Sequence, residues 1–267
     1  MLSDQAFLRY SRQIMLPEVG EQGQVNLTQA NVLIVGAGGL GSAAALYLAG
    51  AGVGQLVIAD DDHLEASNLP RQVLYRETDV GLPKAEQAAA QLRALNPLVR
   101  VRAVNARLAA ERLAMEVAQA DVVLDCSDNL ATRHAVNRAC YATHTPLISG
   151  AAIQWQGQLM AFDFRHGHGP CYHCVFPLAD QAQDTPQNCS TGGIIGPVVG
   201  NIGTLQALET LKLLTGAGEG SFSRLQHFDG LTLHWQSFHF TQDTSCPVCG
   251  PSVSKESNVD VDNYVKG

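Results

Sequence analysis

Val32-Leu33-Ile34-Val35-Gly36-Ala37-Gly38-Gly39-Leu40-Gly41 decides how this chain is read. Four apolar residues run into a G-x-G-x-x-G spacing, and 42–48 continues as a helix of small residues. The first glycine permits a tight turn, the second lets backbone approach a phosphate, and the third lets helix and strand pack closely. Amides at the helix N-terminus then face an anion. Leu56, Val57, Ile58 and Ala59 form a second apolar strand that ends at Asp60, where an acid binds ribose hydroxyls. Strand, turn, helix, strand and acid in this order predict nucleotide binding at Gly36, Gly38, Gly39, Gly41 and Asp60. Alone, the glycine motif would equally suit an NAD-dependent oxidoreductase.

The pattern extends in both directions. Upstream, 3–15 reads as an amphipathic helix capped by Ser3 or Asp4, with Phe7, Leu8, Ile14 and Met15 on its buried face and Arg9 and Arg12 exposed. Downstream, 60–72 is too polar for a strand and too long for a tight turn, which marks a functional loop. Helices are expected over 84–95, 109–119 and 130–143, and strands over 99–104, 121–125 and 146–149. Strands alternating with helices of this length predict a doubly wound, Rossmann-like parallel sheet covered on both faces. The second part changes character. A strand over 158–164, a long helix over 195–214, and strands over 224–229 and 231–240 turning at Asp229-Gly230 continue the sheet in antiparallel fashion. The expected division is one domain over 1–250, with a nucleotide-binding half over 28–150 and a metal- and partner-binding half over 151–250. A polar, disordered tail is expected beyond Pro251.

A length of 267 residues is enough to bury a sizeable core, and a net charge of −8 argues against nucleic acid as a partner. The first residues lack the basic and apolar regions of a signal peptide, and glycines break the uncharged run over 42–59, so neither export nor a membrane is expected. The chain reads as cytoplasmic. Seven cysteines in such a reducing compartment point to metal or catalysis before disulfides.

Cys171-x-x-Cys174 and Cys246-x-x-Cys249 each clasp one side of a tetrahedral metal, and together they make a closed four-cysteine zinc site of structural type. His166, His168 and His173 lie nearby as substitute ligands. Cys189, unpaired in a polar segment, is either a nucleophile or an incidental thiol, whereas Cys126 and Cys140 belong to the core. Asp60 and Asp128 both follow strand C-termini, where open α/β sheets bind ligands. Arg71 and Lys84 bring positive charge to phosphates, and Asp128 suits Mg2+. This set favours ATP over NAD.

Arg9-Tyr10-Ser11-Arg12-Gln13, the glycine motif, Ser67-Asn68-Leu69-Pro70-Arg71-Gln72, Asp125-Cys126-Ser127-Asp128-Asn129 and the two C-x-x-C pairs together resemble the ThiF/MoeB adenylyltransferases, relatives of the ubiquitin-activating enzymes. The resemblance runs from residue 3 to about 250. Gly196-Pro197-Val198-Val199-Gly200, Thr204 to Glu209 and Cys246-Pro247-Val248-Cys249-Gly250 look closer to the ThiF members, of thiamine biosynthesis, than to the MoeB members, of molybdopterin biosynthesis. The resemblance implies adenylation by ATP of the C-terminal Gly-Gly carboxylate of a small ubiquitin-like sulfur-carrier protein, ThiS-like or alternatively MoaD-like. A sulfur donor protein would then complete the carrier's thiocarboxylate. It implies phosphate contacts from Gly39, Asn68, Arg71 and Lys84, ribose contact from Asp60, Mg2+ held at Asp128, and nucleotide contact from Gln72 and Asn129. It also implies a covalent role for Cys189, and a homodimer in which Arg12 reaches the partner's ATP. Pro70 departs from the family, where Gln is usual. A non-catalytic scaffold that binds carriers is disfavoured by the intact Arg71, Lys84 and Asp128.

Overall fold

The computed structural model describes residues 2–178 and 192–251. Its centre is an eight-stranded sheet in the order β3-β2-β1-β4-β5-β6-β7-β8. The strands are β1 (Asn31–Val35), β2 (Gln55–Ala59), β3 (Arg100–Val104), β4 (Val122–Asp125), β5 (Leu147–Ile153), β6 (Gln156–Phe162), β7 (Arg224–Asp229) and β8 (His234–His239). The first five are mutually parallel, and β6, β7 and β8 continue the sheet antiparallel. Both halves of the expected architecture are therefore present in one continuous sheet.

The helices are α1 (Asp4–Ile14), α2 (Gly20–Gln29), α3 (Gly39–Ala51), α4 (Lys84–Leu95), α5 (Ala110–Ala118), α6 (Leu130–Ala142), the short α7 (Tyr172–Val175) and α8 (Gly196–Thr215). Alternation along the strands sorts them into two layers. Val32 and Ile34 of β1 pack with Leu56 and Ile58 on one face, under α2, α3, α4 and α8. Leu33 and Val35 pack with Val57 and Val123 on the other, with Leu113, Val117, Val136 and the cysteines Cys171, Cys246 and Cys249. The twenty-residue α8 crosses α3 at van der Waals distance. Val199 lies over Gly39, and Gly203 abuts the Leu40 carbonyl and Ala43. Among the described residues, no helix is long and apolar enough to cross a membrane.

Three expectations need correction. The N-terminal helix is where the sequence puts it, with the Ser3 hydroxyl accepting from Ala6 N, but its docking face is different. Ala6 and Tyr10 are buried, whereas Phe7, Leu8 and Met15 are 49%, 78% and 71% exposed. Tyr10 wins because it lies flat on Gly52 and its hydroxyl accepts from Asn96 Nδ2 at 2.9 Å. The last hairpin does not turn at a two-residue Asp229-Gly230. Asp229 pairs with His234, so four residues close it, with the Asp229 carboxylate accepting from Leu231 N and Thr232 Oγ1. Strand β5 runs four residues past its expected end, because the antiparallel ladder with β6 extends to Ile153↔Gln156. The polar tail expected beyond Pro251 lies outside the described residues, as does Cys189.

Candidate active site and cysteine cluster

The strand order reverses between β1 and β4, and the glycine turn and the Asp128 loop leave those two strands side by side. A crevice outside strand C-termini at such a switch point is where doubly wound sheets bind ligands. Two glycines make the turn. Gly36 has φ +96, and a β-carbon there would lie 2.7 Å from the Cys126 carbonyl oxygen. A β-carbon at Gly41 would overlap the Gly36 carbonyl itself. Gly38 is the N-cap of α3 and offers no side chain to its free amides, so they stay available to an anion.

Asp60 closes the loop from below. Its Oδ2 accepts from Ala37 N at 2.7 Å and its Oδ1 from Asp62 N at 2.8 Å. Burial raises the Asp60 pKa above the usual carboxylate value, and these two amides work against that rise. Asp62 in turn pairs with the buried Lys84, Nζ to Oδ2 at 2.9 Å, so glycine turn, Asp60 and Lys84 form one connected set. The Tyr75 hydroxyl pins the turn by donating to Ala37 O at 2.7 Å.

The 60–72 loop wraps over this set through a 3-10 turn, Ala66–Asn68, closed by Asn68 Oδ1 accepting from Glu65 N. Arg71 braces on Ser67 O at 2.9 Å. Gln72 is buried with its amide 3.7 Å from the β-carbon position of Gly38, and its Oε1 has no partner among the described residues. That open oxygen is an acceptor, so it suits a hydroxyl or N–H donor of a bound nucleotide. Pro70 meets Gly196 backbone to backbone, which ties the loop to the start of α8.

On the other wall, Asp128 is exposed, and among the described residues its carboxylate accepts one long hydrogen bond, from Asn129 Nδ2 at 3.4 Å. It is a hard oxygen ligand with open coordination positions, as Mg2+ requires. Asn129 stands beside it and also caps a helix. It is the N-cap of α6, with Oδ1 accepting from Thr132 N at 2.9 Å. Arg12 is exposed in the last turn of α1 and makes no hydrogen bond or ion pair among the described residues. Beneath the Asp128 loop lies a buried network that the sequence reading did not include: Asp125, Ser127, Arg133, Ser149 and Gln206. Its signal was an aspartate ending an apolar strand, which has to find a partner when buried.

The four cysteines behave as expected. Their sulfurs lie within 4.8 Å of one another, with Cys171 to Cys246 at 3.7 Å and Cys174 to Cys249 at 3.3 Å. Tetrahedral ligation with Zn–S bonds of the usual length needs sulfur separations of about 3.8 Å, so the cluster has zinc-ligating geometry. Cys126 and Cys140 are buried, where desolvation raises both thiols well above the ordinary cysteine value, as inert core residues require. A shallow cavity of about 350 Å³ lined by Asn26, Asp121, Pro146 and Leu213 opens at the opposite end of β4, away from every candidate site residue.

The ThiF family model matches residues 10–248. The chain belongs to the ThiF family. It is 48% identical to the sulfur carrier protein ThiS adenylyltransferase of Escherichia coli K12, over 94% of this chain and 98% of that protein. It is 43% identical to the molybdopterin-synthase adenylyltransferase of the same organism, over 93% of this chain and 98% of that one. Among solved structures, E. coli MccB with MccA-N7isoAsn superposes with a TM-score of 0.79 over 91% of this chain and 74% of that chain, at 23% identity. That likeness is one of fold.

Proposed function

We propose that this ThiF-family chain is a nucleotidyltransferase. It adenylates the C-terminal Gly-Gly carboxylate of a small ubiquitin-fold sulfur carrier with ATP, as a step toward the carrier's thiocarboxylate in thiamine thiazole biosynthesis. The observation that carries this is the joint presence of an open α3 N-terminus, Lys84 and an exposed Asp128 at one switch point, in a chain 48% identical to a ThiS adenylyltransferase.

In the reaction a carrier carboxylate oxygen attacks the α-phosphorus of ATP. The bond from that phosphorus to the bridging oxygen breaks, and pyrophosphate leaves with the electron pair. The nucleophile is already ionised, so no general base is required. The protein's task is positioning and charge neutralisation. The α3 amides, Asn68, Arg71, Gln72 and Lys84 hold the phosphates, and Asp60 takes the ribose hydroxyls. Asp62 keeps the Lys84 ammonium in place until phosphate oxygens replace it. Asp128 would hold a magnesium ion, which supplies Lewis-acid neutralisation of the phosphate charge. The four cysteines would hold zinc and join 171–174 to 246–249. Arg12 reaches the ATP of a partner subunit in a homodimer, Cys189 bonds to the activated carrier, a separate protein donates sulfur, and the enzyme works in the cytoplasm.

The test is ATP–pyrophosphate exchange with purified carriers. Exchange with a ThiS-like carrier is expected. Exchange with a MoaD-like carrier alone would move the protein to molybdopterin biosynthesis, the reading that the 43% relative favours. No exchange with either would overturn the proposal.

A further inference from the structure

The reading above gives no task to the buried pair beneath the Asp128 loop. Arg133 and Asp125 are 6% and 1% exposed, with Arg133 Nη1 3.5 Å from Asp125 Oδ2. A pair taken this far from water is costly unless every donor is used. Here Nη1 and Nη2 go to groups that frame the site. Arg133 Nη1 donates to Gly150 O at 2.8 Å and to Ser149 Oγ at 3.3 Å, and Nη2 donates to Ser127 O. Asp125 accepts from Ser127 N at 3.1 Å, Ser127 Oγ at 2.6 Å and Ser149 Oγ at 2.9 Å.

Ser127 is therefore gripped at both ends. Its N–H and hydroxyl go to Asp125, and its carbonyl goes to Arg133. That carbonyl belongs to the peptide group whose nitrogen is Asp128's. Among the described residues the Asp128 carboxylate has one hydrogen bond, a long one, so the peptide before it sets its aim. We infer that Arg133 is a positioning residue for Asp128. By clamping the Ser127 carbonyl to the Gly150 carbonyl of β5, it fixes where the Asp128 carboxylate meets the metal of the magnesium–ATP complex. The inference rests on the proposed role of Asp128. A lysine keeps the charge that Asp125 needs, but a single ammonium lacks the planar fork that spans two carbonyls.

The experiment is pyrophosphate exchange by the full-length protein as free Mg2+ is varied, at saturating ATP and carrier. In Arg133→Lys, the Mg2+ needed for half-maximal rate should rise about tenfold, the usual scale for a group that orients a metal ligand. The KM for carrier and the far-UV circular dichroism should stay as in the wild type. Ser149→Ala removes the hydroxyl that bridges Arg133 and Asp125, and should shift the same Mg2+ midpoint by about threefold. A folded Arg133→Lys with its midpoint within about twofold of wild type would overturn the inference. So would equal rises in the Mg2+ midpoint and the carrier KM, which mean general loosening. If Arg133→Lys does not fold, Ser149→Ala decides by the same two criteria. Failure of the underlying reading looks different: the wild type shows no exchange, or Asp128→Ala exchanges normally.

Discussion

Asp128 has an exposed carboxylate with one weak contact, and removing it costs the fold little. Asp128→Ala should abolish pyrophosphate exchange while leaving the thermal midpoint close to wild type. Exchange retained within about twofold would amount to under about 0.5 kcal/mol of barrier, too little for a ligand to an essential metal. Cys189 lies outside the described residues, and its proposed role rests on its place in the sequence. Cys189→Ala should keep adenylation and lose the covalent conjugate that mass spectrometry finds when wild type, carrier, ATP and sulfur donor are mixed. The same conjugate on the alanine variant would assign the nucleophile elsewhere. At this scale the sequence was legible wherever residue type dictates chemistry: glycines at a turn, an acid after a strand, cysteines in pairs. It was mute on Lys84's partner. Asp62 is one of three consecutive aspartates, and the bridge His63↔Pro83, with Lys84 N donating to Asp62 O at 2.9 Å, brings the loop back along the start of α4 and selects it.

Among the elements, α7 and the turn at 246–249 bring their four cysteines together, and Tyr172 and Val248 belong to the same apolar cluster. One zinc per chain is therefore expected by metal analysis. Cys246→Ser should lower the thermal midpoint far more than it lowers exchange by the protein that remains folded, since no ligand position is open for catalysis. Zinc-free native protein, or a variant with an unchanged midpoint, would remove the metal from the account. Elements with strong period were legible in the sequence. The strands β1, β2 and β4 are apolar runs closed by glycine or aspartate, and α4 spans its expected 84–95. Helix α2 was not legible, because GEQGQVNLTQ carries two glycines and buries only Gly23, Gln24 and Leu27. It is made helical by tertiary contact, with Gly23 against Thr215 and Gln24 Nε2 donating to Ala51 O. The Arg133 network escaped for a related reason. A charged residue in a helix reads as solvated until a partner across the sheet shows it buried.

For the molecule as a whole, α1 and its C-cap present Phe7, Leu8 and Met15 to solvent, with Arg12 also exposed, and among the described residues nothing covers them. A twofold dimer in which Arg12 completes the neighbouring site accounts for both. Arg12→Ala and Asp128→Ala chains, each inactive alone, are to be mixed and allowed to exchange subunits. Random pairing makes half the dimers mixed, and each mixed dimer has one intact site, so roughly a quarter of wild-type activity should return. No recovery after proven exchange, or a monomer at working concentration, would exclude the arrangement.

The crossing of α8 over α3 has a consequence for how the chain is made. Helix α3 leaves the ribosome with its outer face, Leu40 and Ala43 included, meant for a partner that does not yet exist. The end of α8 follows about 160 residues later, on the order of ten to thirty seconds at ordinary translation rates. Through that interval the nascent β1-α3-β2 unit has one side of its sheet covered by a helix that is itself uncovered. The face of α3 that meets α8 therefore stays open to solvent until the C-terminal half has been made.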